Sequence, residues 1–231
     1  KRLGAWGDIG CFSFQEKKLM ATGDGGMVSS NAPLLIEPLR SMKEVGMTTD
    51  TYARHQQIQR GETIGDPLHW YYEVRELGYK YNMCDVIAAI GIAQLRKLDA
   101  MNARRVAIVA RYLDGIASCD HIRPAFPYDR SRPYYDFMVR LNDRALRDAF
   151  IVHLQQRSIA TGVHTMPVPF LPYYRQFNAS VPTAMRIWEQ YVVLPLYAEL
   201  TEAEQAYVIE AICDFDRRVP QRAHAAIAAA A

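Results

Sequence analysis

Stretches with the two-residue period of strands alternate along this chain with stretches of helical period, and that alternation confines it to an α/β architecture. Gly10 to Phe14 (G-C-F-S-F) and Gly26 to Ser30 (G-M-V-S-S) are short aromatic or β-branched runs. A polar stretch and a glycine cluster separate them, which reads as two strands with a functional connection. Pro33 to Val45 places Leu35, Leu39 and Met42 at helical spacing, with Gly46 where a helix would stop. Thr48 to His69 is polar, contains glycine and has no periodicity, so it is expected to form a long surface loop suited to binding. Asp85 then stands as a candidate cap ahead of Ile90, Leu98, Met101, Ile108 and Tyr112. Their intervals predict one long helix, or two in succession, as far as Gly115.

A second domain is expected from residue 118, dividing the chain into 1–117 and 118–231. It opens with a proline-punctuated segment, Arg123 to Pro133, and an alternating strand with Phe137, Val139 and Leu141 on one face. A helix from Asp143 carries Leu146, Phe150 and Leu154 on its apolar stripe. Thr201-Glu202-Ala203-Glu204 has the form of a capping box, ahead of Val208, Ile212 and Phe215 on one helical face. The first domain is therefore α/β and the second α+β. The alanine-rich tail from Ala223 specifies little.

Charge and composition exclude several kinds of function. Among 231 residues, 27 Lys and Arg oppose 25 Asp and Glu, leaving a net charge of +2 and no electrostatic footprint for nucleic acid. No run of eighteen or more apolar residues occurs, so no membrane-spanning helix is expected. Cys11, Cys84, Cys119 and Cys213 lie far apart, and neither they nor the six histidines show metal-ligand spacing. Reduced thiols in a cytoplasmic protein, with no metal, are the expectation. The opening Lys1-Arg2-Leu3-Gly4 has neither a methionine nor an apolar signal segment, as if the chain began in the middle of something.

The stretch richest in chemistry is Ser13-Phe14-Gln15-Glu16-Lys17-Lys18, running on to Thr22-Gly23-Asp24-Gly25-Gly26. A lysine just past a strand and before a glycine-rich turn can be held where the backbone approaches a ligand closely. Such a lysine is a candidate imine former, provided that its surroundings leave the amine unprotonated. A solvated hairpin carries the same residue types, so on composition alone both readings stand.

A resemblance separates them. The run G-D-I-G-C-F-S-F-Q-E-K-K-L-M-A-T-G-D-G-G-M-V resembles the lysine motif of the DegT/DnrJ/EryC1/StrS family of pyridoxal-phosphate-dependent sugar aminotransferases. Three further stretches match in order: Leu77-Gly78-Tyr79-Lys80-Tyr81-Asn82-Met83-Cys84-Asp85 with Gln94-Leu95, Gly162-Val163-His164-Thr165-Met166-Pro167 with Pro172-Tyr173-Tyr174, and Leu194-Pro195-Leu196-Tyr197 with Leu200-Thr201 and Glu204. The resemblance implies a fold-type I (aspartate aminotransferase-like) transferase, here the end of the large domain and the whole small domain. It also implies pyridoxal 5'-phosphate as cofactor, a nucleotide-linked keto-sugar as substrate, an amino acid such as glutamate as donor, and a homodimer with shared active sites.

Residue roles follow by the same likeness. Lys18 matches the lysine that forms a Schiff base with the cofactor and then moves the substrate proton. Ser13 matches a serine on the cofactor phosphate. Lys80 and Asn82 occupy positions where many members carry Asn and Arg, which reach phosphate or substrate across the dimer interface. His164 matches a histidine near the substrate. Asp24 stands where the family more often has Glu, and Thr165 where it often has Tyr, so the substrate contacts follow less closely than the chemistry. In the family, the carboxylate for the ring nitrogen, the aromatic that stacks on the ring and a further phosphate-binding turn all precede the lysine motif. Two other readings stay open: a relative that aminates cyclitols or dehydrates sugars, and a non-catalytic dimerisation module.

Overall fold

The structure, a computed structural model, describes residues 2–47, 60–61 and 72–220. Most of the loop expected over Thr48 to His69, and the alanine-rich tail, lie outside the described residues. The chain forms two compact units, Lys1–Leu98 and Asp99–Ala231.

In the first unit, β1 (Gly10–Ser13) pairs antiparallel with β2 (Gly26–Ser29), Gly10 opposite Ser29 and Ser13 opposite Gly26. Helix α1 (Pro33–Lys43) starts on a proline, whose missing N–H would have had no intrahelical partner at that position. It stops two residues before the sequence predicts, because Val45 and Gly46 adopt φ of 56° and 75°, which cannot extend a right-handed helix. Only Gly46 is free of the side-chain penalty there.

Helix α2 is a single helix, Asp85–Gly115. Asp85 is its first residue and not its cap: the Ala88 N–H already bonds the Cys84 carbonyl at 2.9 Å, so the capping position belongs to Cys84. The Asp85 carboxylate still suits the positive end of the helix. Val86, Ile90, Ile92 and Leu95 in its first half are exposed, whereas Ile108, Val109 and Tyr112 near its end are buried.

The second unit is built on an antiparallel sheet in the order β3 (Ile122–Pro124), β4 (Phe137–Leu141), β5 (Tyr191–Leu194). Phe137, Val139 and Leu141 all point inward at 0% exposure, as their alternation predicts. Around them pack Phe150 and Leu154 of α3 (Ala145–Gln155) and Val208 and Ile212 of α5 (Glu202–Arg218). Burial of such a side chain stabilises by about 1.5–3 kcal/mol. Tyr112 stacks on Phe137 at 4.8 Å and donates its hydroxyl to the Pro195 carbonyl at 3.0 Å. Burial, and secondarily Tyr197, raises the Tyr112 pKa, which keeps that hydroxyl a neutral donor.

The predicted capping box is present: the Glu204 N–H reaches Thr201 Oγ1 at 3.2 Å and the Thr201 N–H reaches Glu204 Oε2 at 2.8 Å. Between α3 and β5 the chain forms two short 3₁₀ helices (Val168–Phe170 and Pro172–Phe177) and α4 (Pro182–Trp188). Among the described residues, no helix is long and apolar enough to cross a membrane.

Candidate active site

Lys18 sits on the connection from β1 to β2, and backbone bonds tie that connection down along its length. The Phe14 N–H bonds the Gly25 carbonyl at 2.9 Å, the Thr22 N–H bonds the Phe14 carbonyl at 2.9 Å, and Gln15 bridges Gly23. The Lys18 N–H closes a turn on the Gln15 carbonyl at 2.9 Å. Thr22 is buried, and its hydroxyl bonds the Asp24 carbonyl. Such a scaffold leaves the Lys18 and Ser13 side chains exposed on this chain while fixing the backbone beneath them. Ser13 Oγ accepts a long bond of 3.4 Å from the Gln15 N–H, an arrangement that uses a lone pair and leaves its hydrogen to donate.

The glycine-rich turn has a steric reason. Gly25 has φ of 117°, and a Cβ there would stand 2.8 Å from Met83 Cε. A Cβ on Gly91 would likewise meet Thr22 Cγ2 at 3.3 Å, so the start of α2 lies hard against the loop. The loop that carries Ser13 and Lys18 therefore packs on the junction that carries Asn82. Asn82 Oδ1 is buried and has no hydrogen-bond partner in the described structure. An amine and a hydroxyl on one tied-down loop suit a phosphorylated aldehyde: the amine can bond the carbonyl carbon, and the hydroxyl can donate to a phosphate oxygen.

Lys80 is in the same unit, with Nζ 3.6 Å from Glu44 Oε1. His164 belongs to the second unit, where its Nε2 lies 2.8 Å from Asp136 Oδ2 and its carbonyl accepts the Trp188 indole N–H at 3.0 Å. Glu44 and Asp136 are the two partners that sequence reasoning missed. Each stands in a stretch without a motif, Met42-Lys43-Glu44-Val45 and Tyr134-Tyr135-Asp136-Phe137, and only the folded pairing singles them out.

Comparison with known proteins identifies the family. The model of the DegT/DnrJ/EryC1/StrS aminotransferase family matches residues 1–213. The spore coat polysaccharide biosynthesis protein SpsC of Bacillus subtilis is 33% identical over 223 residues, 93% of this chain and 55% of SpsC. Among solved structures, the aminotransferase TlmJ from Streptoalloteichus hindustanus gives a TM-score of 0.78 at 31% identity, covering 93% of this chain and 54% of that one. Spr1654 from Streptococcus pneumoniae, solved in PMP and PLP forms, gives 0.79 at 27% identity for the former, covering 94% of this chain and 55% of that one. The chain thus spans about half the length of the relatives it matches and has their mixed α/β fold of type I. That family depends on pyridoxal phosphate, and by the match across residues 1–213 this chain belongs to it.

Proposed function

We propose that the protein to which these residues belong is a pyridoxal-phosphate aminotransferase that moves an amino group from an amino acid, glutamate being the expected donor, to a keto-sugar linked to a nucleotide. The observation that carries this reading is the tied-down loop of Lys18, with Ser13 at the strand end before it. When bound, the cofactor supplies an electron sink for the carbanion left by loss of the substrate's α-proton. In this reading Lys18 would hold the cofactor through its side-chain amine and would take and return the substrate's α-proton. The Ser13 hydroxyl would donate to the phosphate, Lys80 and Asn82 would reach phosphate or substrate across the dimer interface, and His164 would face the sugar substrate.

Homodimerisation with shared sites, a cytoplasmic location and a domain division at residues 117 and 118 belong to the same proposal. The exposed apolar residues Ile92 and Leu95, three positions apart on α2, support the first, as a face that a second copy would cover. Four free cysteines are consistent with a reducing compartment.

Borohydride treatment of the cofactor-loaded protein, followed by peptide mass analysis, tests the lysine. The phosphopyridoxyl mass is expected on Lys18 and should vanish in Lys18→Ala; label on another lysine, or none, would overturn the assignment. Turnover of keto-sugar nucleotides in preference to inososes would separate sugar amination from cyclitol amination.

A further inference from the structure

His164 and Asp136 reach each other from two separately anchored segments at one end of the second unit's sheet. Asp136 immediately precedes β4, where Phe137 is paired with Leu194. The Tyr128 hydroxyl brackets it, donating to the Asp136 carbonyl at 3.4 Å and accepting the Met138 N–H at 2.7 Å. On the other side, Gly162 and Val193 exchange backbone bonds of 3.0 and 2.7 Å. Two residues on, His164 is fixed by the Trp188 indole on its carbonyl, and its ring lies 6.1 Å from that of Tyr191. Both backbones are thereby set before the side chains meet. The carboxylate of Asp136 is mostly buried, with 20% of the side chain exposed, whereas the imidazole is 46% exposed.

A carboxylate at 2.8 Å from Nε2 accepts the proton on that nitrogen, and this fixes both the ring plane and the hydrogen that Nε2 carries. The nitrogen left for a ligand is Nδ1. Asp136 also adds negative charge beside Arg105, whose Nε is buried without a hydrogen-bond partner in the described structure while its Nη1 donates to the Leu196 carbonyl at 3.0 Å.

We propose that Asp136 is a positioning residue for the keto-sugar half of the reaction, holding His164 by Nε2 so that Nδ1 meets the polar oxygens of the nucleotide-linked sugar. This rests on the substrate reading given above and on His164 as a sugar contact. It adds a residue that none of the matched motifs contains.

The two half-reactions of the cofactor-loaded enzyme separate the possibilities. Asp136→Ala should raise KM for the keto-sugar nucleotide by about tenfold, the size of one hydrogen bond to a charged group, while kcat and the amino-donor half-reaction stay within about twofold. Asp136→Asn, which keeps an acceptor oxygen, should recover most of that loss. His164→Ala should match the double variant Asp136→Ala/His164→Ala, because the carboxylate acts only through the ring. Asp136→Ala slowing both half-reactions alike, or adding its full penalty on top of His164→Ala, would overturn the proposal. No effect of His164→Ala on the keto-sugar KM would overturn it too. If Lys18 carries the borohydride label but no keto-sugar nucleotide is turned over, it is the substrate reading that fails, and the positioning role falls with it.

Discussion

Lys80 Nζ lies 3.6 Å from Oε1 of Glu44, and Lys43 Nζ lies 3.9 Å from Oε2 of the same carboxylate. The pairing is built by the backbone: Glu44 and Lys80 form an antiparallel bridge, the Val45 N–H bonds the Tyr79 carbonyl at 3.1 Å, and the Tyr81 N–H bonds the Lys43 carbonyl at 2.9 Å. Lys80, which lies in the second stretch that resembles the family, is thus held next to a nearly buried acid contributed by the end of α1.

The strength of that hold is predictable from exposure. Lys80 is 68% exposed, so its ion pair with Glu44 is strongly screened by water. Glu44→Gln, which keeps the shape and the backbone bridge, should change the unfolding free energy by about 1 kcal/mol or less. Gly46→Ala should cost far more. Its φ is 75°, and a Cβ would stand 2.0 Å from the Glu76 carbonyl oxygen, a backbone atom that cannot step aside. Urea denaturation of both variants checks the ranking, and a larger loss in Glu44→Gln would show that the charge, not the backbone, holds the segment.

A pH prediction follows from His153 on α3. Its Nε2 lies 3.0 Å from the Ala211 carbonyl and its Nδ1 lies 3.2 Å from Arg157 Nη1. The neutral ring satisfies both, donating from Nε2 and accepting at Nδ1, whereas a second proton would face the Arg157 donor. Burial first, and the Arg157 charge after the opposing carbonyl bond, hold its pKa below the ordinary 6.5. Since the folded pKa is the lower one, the stabilisation is complete above about pH 6.5 and is lost as pH falls through that value towards the folded pKa. Unfolding free energies measured from pH 7.5 to 5 should decline, and His153→Gln should flatten the decline. An unchanged slope in the variant would rule out His153 as its source.

Legibility in the sequence followed the physics of each element. Phe137, Val139 and Leu141 were readable because one sheet face is dry and the other is not, and the Thr201 box was readable because capping is local chemistry. Strand β5 was missed because Tyr191-Val192-Val193-Leu194 is apolar throughout, a run that periodicity cannot assign. Strand β3 was missed because three residues at the entry to a proline-punctuated stretch carry no period, and its pairing with β4 exists only in three dimensions. The tight approach of Gly25 to Met83 and Ile87 was likewise invisible until the loop and the helix start were brought together, although the glycine cluster had marked the place. Glu44 and Asp136 needed the fold for the same reason, since each meets its partner from a stretch far away in sequence.

The firmest stability prediction concerns Asp216, near the end of α5. Its carboxylate is 7% exposed and accepts two backbone N–H groups, from Asp120 to Oδ2 and from His121 to Oδ1, both at 2.8 Å. These are the amides that lead the chain out of α2 and into β3, where no strand or helix partner could satisfy them. Asp216→Ala would strand both at once, the His121 amide buried and the Asp120 amide only partly so; an unpaired buried amide costs about 1–3 kcal/mol, so a loss of about 3 kcal/mol is expected. Thr201→Ala at the other end of the same helix removes an exposed cap and should cost about 1 kcal/mol. Asp216→Asn should lie between them and the wild type only in part, because its amide group turns an N–H towards one of the two donors. Chemical denaturation of the three variants side by side reads the order directly. If Asp216→Ala proved no worse than Thr201→Ala, the two amides would have found water instead, and the carboxylate would be a surface contact and not the tie between helix and sheet.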